Sequence, residues 1–257
     1  MSNLLRLEFR RLFRAKSFYI CLAVSLVMIV ITALTTKMLL NLEEQKEVAE
    51  AMGEALQTPT SISMLKTAIS SSLTTILAIF LSLFVAEDFT GDTIKNIYAK
   101  GNSRDSIYWS KYISSVVASI IMLFFCAIFS FATGKILFGE YGSMGKNYIV
   151  SLFAELVILL AYVTLYFVVA ICIRKTGASL AISIIGPLLI GLFLTLGSAA
   201  LKSDSIDLSS YWLAGRLSIL EDADVSTKNT VLGFIIGGIN LLVIGAAGFC
   251  INRSSER

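Results

Sequence analysis

Long apolar stretches alternate with short polar ones along the chain, at about 17–40, 65–86, 107–137, 148–173, 178–201 and 230–252. Each can cross a hydrocarbon core of about 30 Å as a helix, which takes about 20 residues. Hydrocarbon offers no partner to a backbone amide, so segments of this kind are helical. The runs are continuous rather than alternating, which argues against a β-barrel. The pattern predicts an all-α integral membrane protein with six transmembrane helices, one transmembrane domain over residues 1–257. The third run exceeds the bilayer thickness and is expected to tilt or project into water. Pro187, following Gly186 in the fifth, is expected to kink its helix.

The polar stretches have patterns of their own. Residues 3–16, NLLRLEFRRLFRAK, place Leu5, Phe9, Leu12 and Phe13 on one face and Arg6, Arg10 and Arg14 on another. This predicts an amphipathic interface helix with its arginines toward anionic membrane lipid. Residues 42–56 have helix-forming composition and align Val48, Met52 and Leu56. Residues 206–220, IDLSSYWLAGRLSIL, are too apolar for a free loop. Short outer helices are expected there, between spans five and six, packing on the outer leaflet or dipping back into the bundle.

Charge sets the orientation. With the N-terminus inside, the inner segments hold thirteen lysines and arginines against six acids, and the outer segments eight against eleven. Basic excess belongs on the cytoplasmic side. Both termini and the segment between spans two and three are therefore expected in the cytoplasm of a multi-pass plasma-membrane protein.

Composition narrows the chemistry. The chain is 56% hydrophobic, with a mean hydropathy of +0.80 and no histidine. His-based catalysis and His metal sites are excluded. Cys21, Cys126, Cys172 and Cys250 lie in apolar runs without C-x-x-C spacing, so neither disulfides nor a metal are expected. The first apolar run is longer than a signal-peptide core and lacks a small-residue cleavage site, and reads as a retained helix. GSMGKN at 142–147 contains Gly145-Lys146, but Glu140 and Asn147 stand where a P-loop needs glycine and a hydroxyl. It reads as a turn. No segment of this chain is expected to bind a nucleotide or a nucleic acid, and no catalytic residue is assigned.

Glu155 is the one acid well inside a span. Such a carboxylate faces protein or water. Two readings stand: a contact to substrate, cation or gate, and a structural hydrogen bond to hydroxyls. Gly233 and Gly237 form a small-xxx-small face for close helix contact. Ser70, Ser71, Ser72, Thr74 and Thr75 cluster in the second span, where they either pack helices or line a path.

A long charged passage runs from Glu87 to Lys111 between the second and third spans, EDFTGDTIKNIYAKGNSRDSIYWSK. Asp88 to Tyr98 can form a short helix that breaks at Gly101, with Ser103 or Asp105 capping the third span. Ile94 and Ile97 fall together and can anchor in a partner's groove. The passage resembles the first cytoplasmic loop of ABC-2 type permeases. In Gram-positive members that loop reads roughly acid–aromatic–x–x–Gly-Thr–aliphatic–Lys-Asn, then Gly-x-Ser-Arg, then Ile-Tyr-x-Ser-Lys. Asp88-Phe89, Thr93-Ile94-Lys95-Asn96, Gly101, Ser103-Arg104, Ile107-Tyr108 and Ser110-Lys111 match in order. The glycine before the threonine is replaced by Asp92, with Gly91 one place early. A basic interface helix, six spans and a structured outer loop between spans five and six extend the resemblance.

The resemblance implies that residues 87–106 are a coupling helix docking on a separate cytosolic ABC ATPase. That subunit would hold ATP and Mg. Glu87, Asp88, Phe89, Thr93, Ile94, Lys95, Ile97 and Arg104 would form the contact. A second permease copy or a paralogue would complete the path. Gram-positive permeases of bacitracin resistance, lantibiotic immunity and cytolytic-peptide export look similar, which implies an amphipathic or antimicrobial peptide as substrate. A lipid-like drug or sodium is the alternative within the family. Outside it stand a stand-alone membrane immunity protein and a secondary transporter, and the latter would be expected to show internal repeats.

Overall fold

The computed structural model describes residues 2–41, 60–90, 101, 103–139, 147–200, 208–221 and 225–254. Among these residues every regular element is helical: α1 (Ser2–Leu12), α2 (Lys16–Asn41), α3 (Ser61–Thr90), α4 (Arg104–Phe138), α5 (Tyr148–Ile173), α6 (Thr176–Ala200), a 3₁₀ turn (Leu208–Tyr211), α7 (Leu213–Leu220) and α8 (Thr227–Ser254). Five of them, α2, α4, α5, α6 and α8, are long and apolar enough to cross a membrane. α3, 30 residues long, covers the expected span at 65–86.

Local chemistry sets the boundaries. The Ser103 side chain accepts a hydrogen bond from the Ser106 amide and caps α4, so of the two expected candidates Ser103 is the cap and Asp105 lies in the first turn. Gly101 stands just before that cap at a φ of 79°, a left-handed conformation that a side chain would strain. Gly139 ends α4 the same way. Pro187 lies inside α6, where it cannot donate to the Ser183 carbonyl one turn back.

α5 is the centre of the bundle. It packs against α3, α4, α6, α7 and α8, and its pairing with α8 is the most extensive in the molecule. Small residues make that approach possible. A Cβ on Gly237 would come within 3.0 Å of Val157, and the Gly233 position faces Ala154, so the expected small-residue face is the packing face. At the other end an aromatic group joins Tyr108, Trp109 and Tyr112 of α4 to Phe167 of α5 and Phe249 of α8. α6 and α8 keep most of their apolar surface outward, for example Leu188, Phe193, Leu242 and Val243.

Residues 208–220 pack onto the bundle. Leu213, Leu217 and Leu220 of α7 are buried in the main core. Of the two arrangements expected for this segment, it is the one directed into the protein.

Candidate functional site

One end of the bundle gathers α1, the last turn of α3, the first turns of α4, and the corner between α5 and α6. Four charged side chains meet there. Asp88 of α3 pairs with Arg11 of α1 and with Lys111 of α4. Glu8 of α1 completes the group, 3.3 Å from Lys111 and 3.9 Å from Arg11. Glu8, Asp88 and Lys111 are buried, while Arg11 is a quarter exposed. Two acids and two bases leave the cluster neutral, which is how buried charges are tolerated. Arg11 also lies over the Phe84 ring and donates to the Phe84 carbonyl at 3.4 Å. Next to it, Arg174 sits over the Phe89 ring at 5.6 Å and ties the end of α3 to the α5–α6 corner. A cleft of about 770 Å³ opens beside the cluster, lined by Arg11, Arg14, Lys16, Glu87, Asp88 and Thr176 among others.

The residues expected to contact a partner separate into groups. Glu87 and Arg104 are exposed on either side of the passage. Asp88 is turned inward and engaged by Arg11 and Lys111. Phe89 is half-buried under Arg174. Asp88 to Thr90 continue α3, so any separate helix in the passage begins later than Asp88. Thr93, Ile94, Lys95 and Ile97 lie outside the described residues, as do Val48, Met52 and Leu56 and the side chains of Ser70, Ser71 and Ser72.

α1 presents Arg6 and Arg10 outward, and Arg14 is exposed in the turn that follows it, as the pattern predicts. Its buried stripe differs from the expected one. Leu4, Glu8 and Leu12 face the protein, while Phe13 is exposed and Phe9 only half-buried. The i, i+4, i+8 row wins because Glu8 reaches Lys111 there. In the sequence Glu8 and Arg11 read only as flanking charge, and Lys111 as flanking charge and the end of the matched passage. An acid on the same helical row as two leucines was the available signal.

A family model for ABC-2 family transporter proteins matches residues 4–198. The chain belongs to that family. No curated protein and no solved structure matches it. Family membership and five apolar helices make this a multi-pass membrane protein and an ABC-2 transporter component, which implies an ATPase partner.

The opposite end of the ABC-2 bundle holds a second buried pair. Glu155 of α5 faces Lys66 of α3 at 3.9 Å, and neither side chain is exposed. The partner is a lysine rather than the hydroxyls considered for Glu155. Lys66 also donates to the Leu220 carbonyl at 3.0 Å, at the C-terminus of α7 where a cation is favoured. It lies 5.1 Å from the centre of the Tyr148 ring, whose hydroxyl donates to the Ile62 carbonyl. Lys66 had been counted among outer charges. The structure instead makes it the clasp between α3, α5 and α7. On α7, Arg216 is buried, and burial draws its guanidinium pKa down from the ordinary value. Its Nε and Nη1 make no hydrogen bond among the described residues.

Proposed function

We propose that this chain is the membrane permease subunit of an ATP-driven ABC exporter that moves amphipathic or antimicrobial peptides out of a Gram-positive cell or its membrane. The observation that carries the reading is the placement of Asp88. The acid that opens the matched passage is gripped by α1 on one side and α4 on the other. Force applied to the passage then reaches three helices at once. The adjoining cleft, with Arg14 and Lys16 on one wall and Glu87 on the other, offers a surface of mixed charge for a docking partner.

In this reading residues 87–106 are the coupling passage, and ATP and Mg bind the partner ATPase. α3 is the sixth crossing, because an even number of spans keeps both termini on the cytoplasmic side that the lysine and arginine bias requires. A second copy or a paralogue completes the translocation path. Glu87 and Arg104 flank the docking surface, and Ile94 and Ile97 anchor it. Asp88 holds the passage from within rather than touching the partner.

The test is co-purification with the ATPase, followed by peptide-stimulated ATP hydrolysis, for Ile94→Ser with Ile97→Ser against the unaltered chain. Each anchor should contribute roughly 1.5–3 kcal/mol of apolar burial. That is about one to two decades of affinity per residue. The double variant should insert normally and lose its partner or its stimulated hydrolysis. Retention of both would refute the coupling assignment.

A further inference from the structure

The cleft beside the Asp88 cluster, about 770 Å³, is bounded by the turn between α1 and α2, the last turns of α3 and the start of α6. Ligand pockets run from about 300 to 1,000 Å³, so it has room for a lipid headgroup. Two long helices begin on it. Lys16 and Ser17 open α2, Thr176 opens α6, and all three line the cleft. Backbone bonding starts at the Phe18 amide in α2 and the Ser179 amide in α6. The amides of Lys16, Ser17, Thr176, Gly177 and Ala178 make no hydrogen bond among the described residues. Neither helix has an acid in its first turn, so both positive helix ends are uncompensated.

The side chains sort the same way. Arg11 and Asp88 belong to the neutral four-residue cluster, and Glu87 is engaged by a partner of its own. That leaves Arg14 and Lys16, both exposed on the cleft and without an acid partner among the described residues. One turn along α6 from Thr176, on the same face, stands Ser179. It is fully buried and its hydroxyl has no hydrogen-bond partner. A buried hydroxyl is ordinarily paired, so this one is a donor still waiting below the cleft. Free amides, two free cations and a spare hydroxyl, with no free carboxylate, are the complement of an oxyanion.

We infer that this cleft binds the phosphate of one anionic phospholipid. Arginine and helix N-termini both suit a phosphate, the first through its fork of donors and the second through its amides. A lipid fits better than free phosphate because the walls continue into hydrocarbon. α2 and α6 run on from the cleft as membrane-length helices with apolar side chains exposed, Ile20 and Val24 on one, Ile182 and Ile185 on the other. Acyl chains therefore find apolar surface next to the headgroup. A zwitterionic headgroup would bring an ammonium, and both acids of the cleft are engaged. The site is distinct from the outward row of Arg6 and Arg10, whose attraction to a charged membrane is diffuse. Phosphate on the Arg14–Lys16 wall leaves the Glu87 wall to the docking partner.

The test titrates phosphatidylglycerol into the full chain in detergent and counts bound lipids by native mass spectrometry. One phosphatidylglycerol should bind ahead of the rest, and phosphatidylethanolamine should not replace it. Arg14→Gln with Lys16→Gln should weaken that first lipid by about tenfold or more, as expected when hydrogen bonds to a charged group are lost. Arg6→Gln with Arg10→Gln removes the same charge from the outward face and should leave the first lipid unchanged. Thr176→Trp fills the cleft without altering charge and should also weaken it. Equal losses from the two arginine-containing pairs would overturn the inference in favour of diffuse attraction to the surface. Equal binding of phosphatidylethanolamine, or indifference to both Thr176→Trp and the Arg14–Lys16 pair, would overturn it as well. Displacement of the lipid by millimolar inorganic phosphate would show a site for the free anion and overturn the lipid assignment. None of these measurements needs ATP hydrolysis or a partner, so failure of the ATPase to co-purify would count against the exporter reading alone.

Discussion

Removing one charge from the Glu8–Arg11–Asp88–Lys111 cluster should cost more than removing two. Asp88→Asn leaves a net positive charge around Lys111, which is only 2% exposed. Lys111 would keep Glu8 at 3.3 Å. At an effective dielectric constant of about 20, a unit pair at that separation attracts by about 5 kcal/mol before desolvation is subtracted. Breaking a buried pair by deleting one partner costs about 3–5 kcal/mol. The surviving Glu8 contact and the partial exposure of Arg11 place Asp88→Asn near the lower figure, about 3 kcal/mol. Lys111→Met alone strands the acids and should cost about the same.

The double variant leaves Glu8 facing Arg11, a neutral pair. It should be no less stable than either single, so a double-mutant cycle should show a coupling of about 3 kcal/mol, the upper end for residues in one network. Equilibrium unfolding in mixed detergent, followed by Trp109 and Trp212 fluorescence, would read it, since these are the chain's two tryptophans. Single variants that each cost less than about 0.5 kcal/mol, with additive effects, would refute the reasoning. The four groups would then be behaving as screened surface pairs.

Cysteines introduced at Ser103 and Ser254 should be shielded from an impermeant thiol reagent in intact cells, while one at Ser205 should react; labelling at Ser103 from outside would reverse the orientation. Glu155→Gln should lower stability by leaving Lys66 buried without its acid, by about 3 kcal/mol, and Glu155→Gln with Lys66→Met should recover most of it. Arg216→Met should raise the thermal midpoint or leave it unchanged, because a buried guanidinium with unpartnered nitrogens is replaced by an apolar chain of similar length; a fall of several degrees would show that the cation has a partner. Gly237→Leu should separate α5 from α8 and reduce the yield of folded protein, since even a Cβ there would sit within 3.0 Å of Val157.

What sequence reasoning recovered was what local pattern encodes. Apolar runs located α2 through α6 and α8 to within a few residues, because burial in lipid demands length and hydropathy and little else. Ser103 was legible as a cap because the hydroxyl must stand directly before the first turn it serves. Gly233 and Gly237 were legible because small residues four apart necessarily share a face. Both ion groups were missed for one reason. Arg11 meets Asp88, and Lys66 meets Glu155, across long separations in the chain. Charge counting treats such residues as flanks, and no periodicity links them. Glu8 was the exception, since it stands between Leu4 and Leu12 on one buried row.

α3 connects the two ends of this molecule. Its last turn carries Asp88, fixed to α1 and α4; its first turns carry Lys66, fixed to α5 and α7; Thr74 and Thr75 line a cavity of about 320 Å³ that α3 shares with α5, α6 and α7. A helix of 30 residues is about 45 Å long at 1.5 Å per residue. Pivoted near one end, such a rod moves the other by about 8 Å for a tilt of about 10°. α3 contains neither proline nor glycine between Ser61 and Thr90 to absorb such a motion as a bend. A displacement at Asp88 must therefore strain the Lys66 clasp or carry α7 with it through the Leu220 carbonyl. α6 differs, because Pro187 lets it bend beside the same cavity. One stiff wall and one compliant wall, with α7 closing the end between them, is an arrangement in which a pull at the Asp88 end changes the cavity's shape instead of moving it whole.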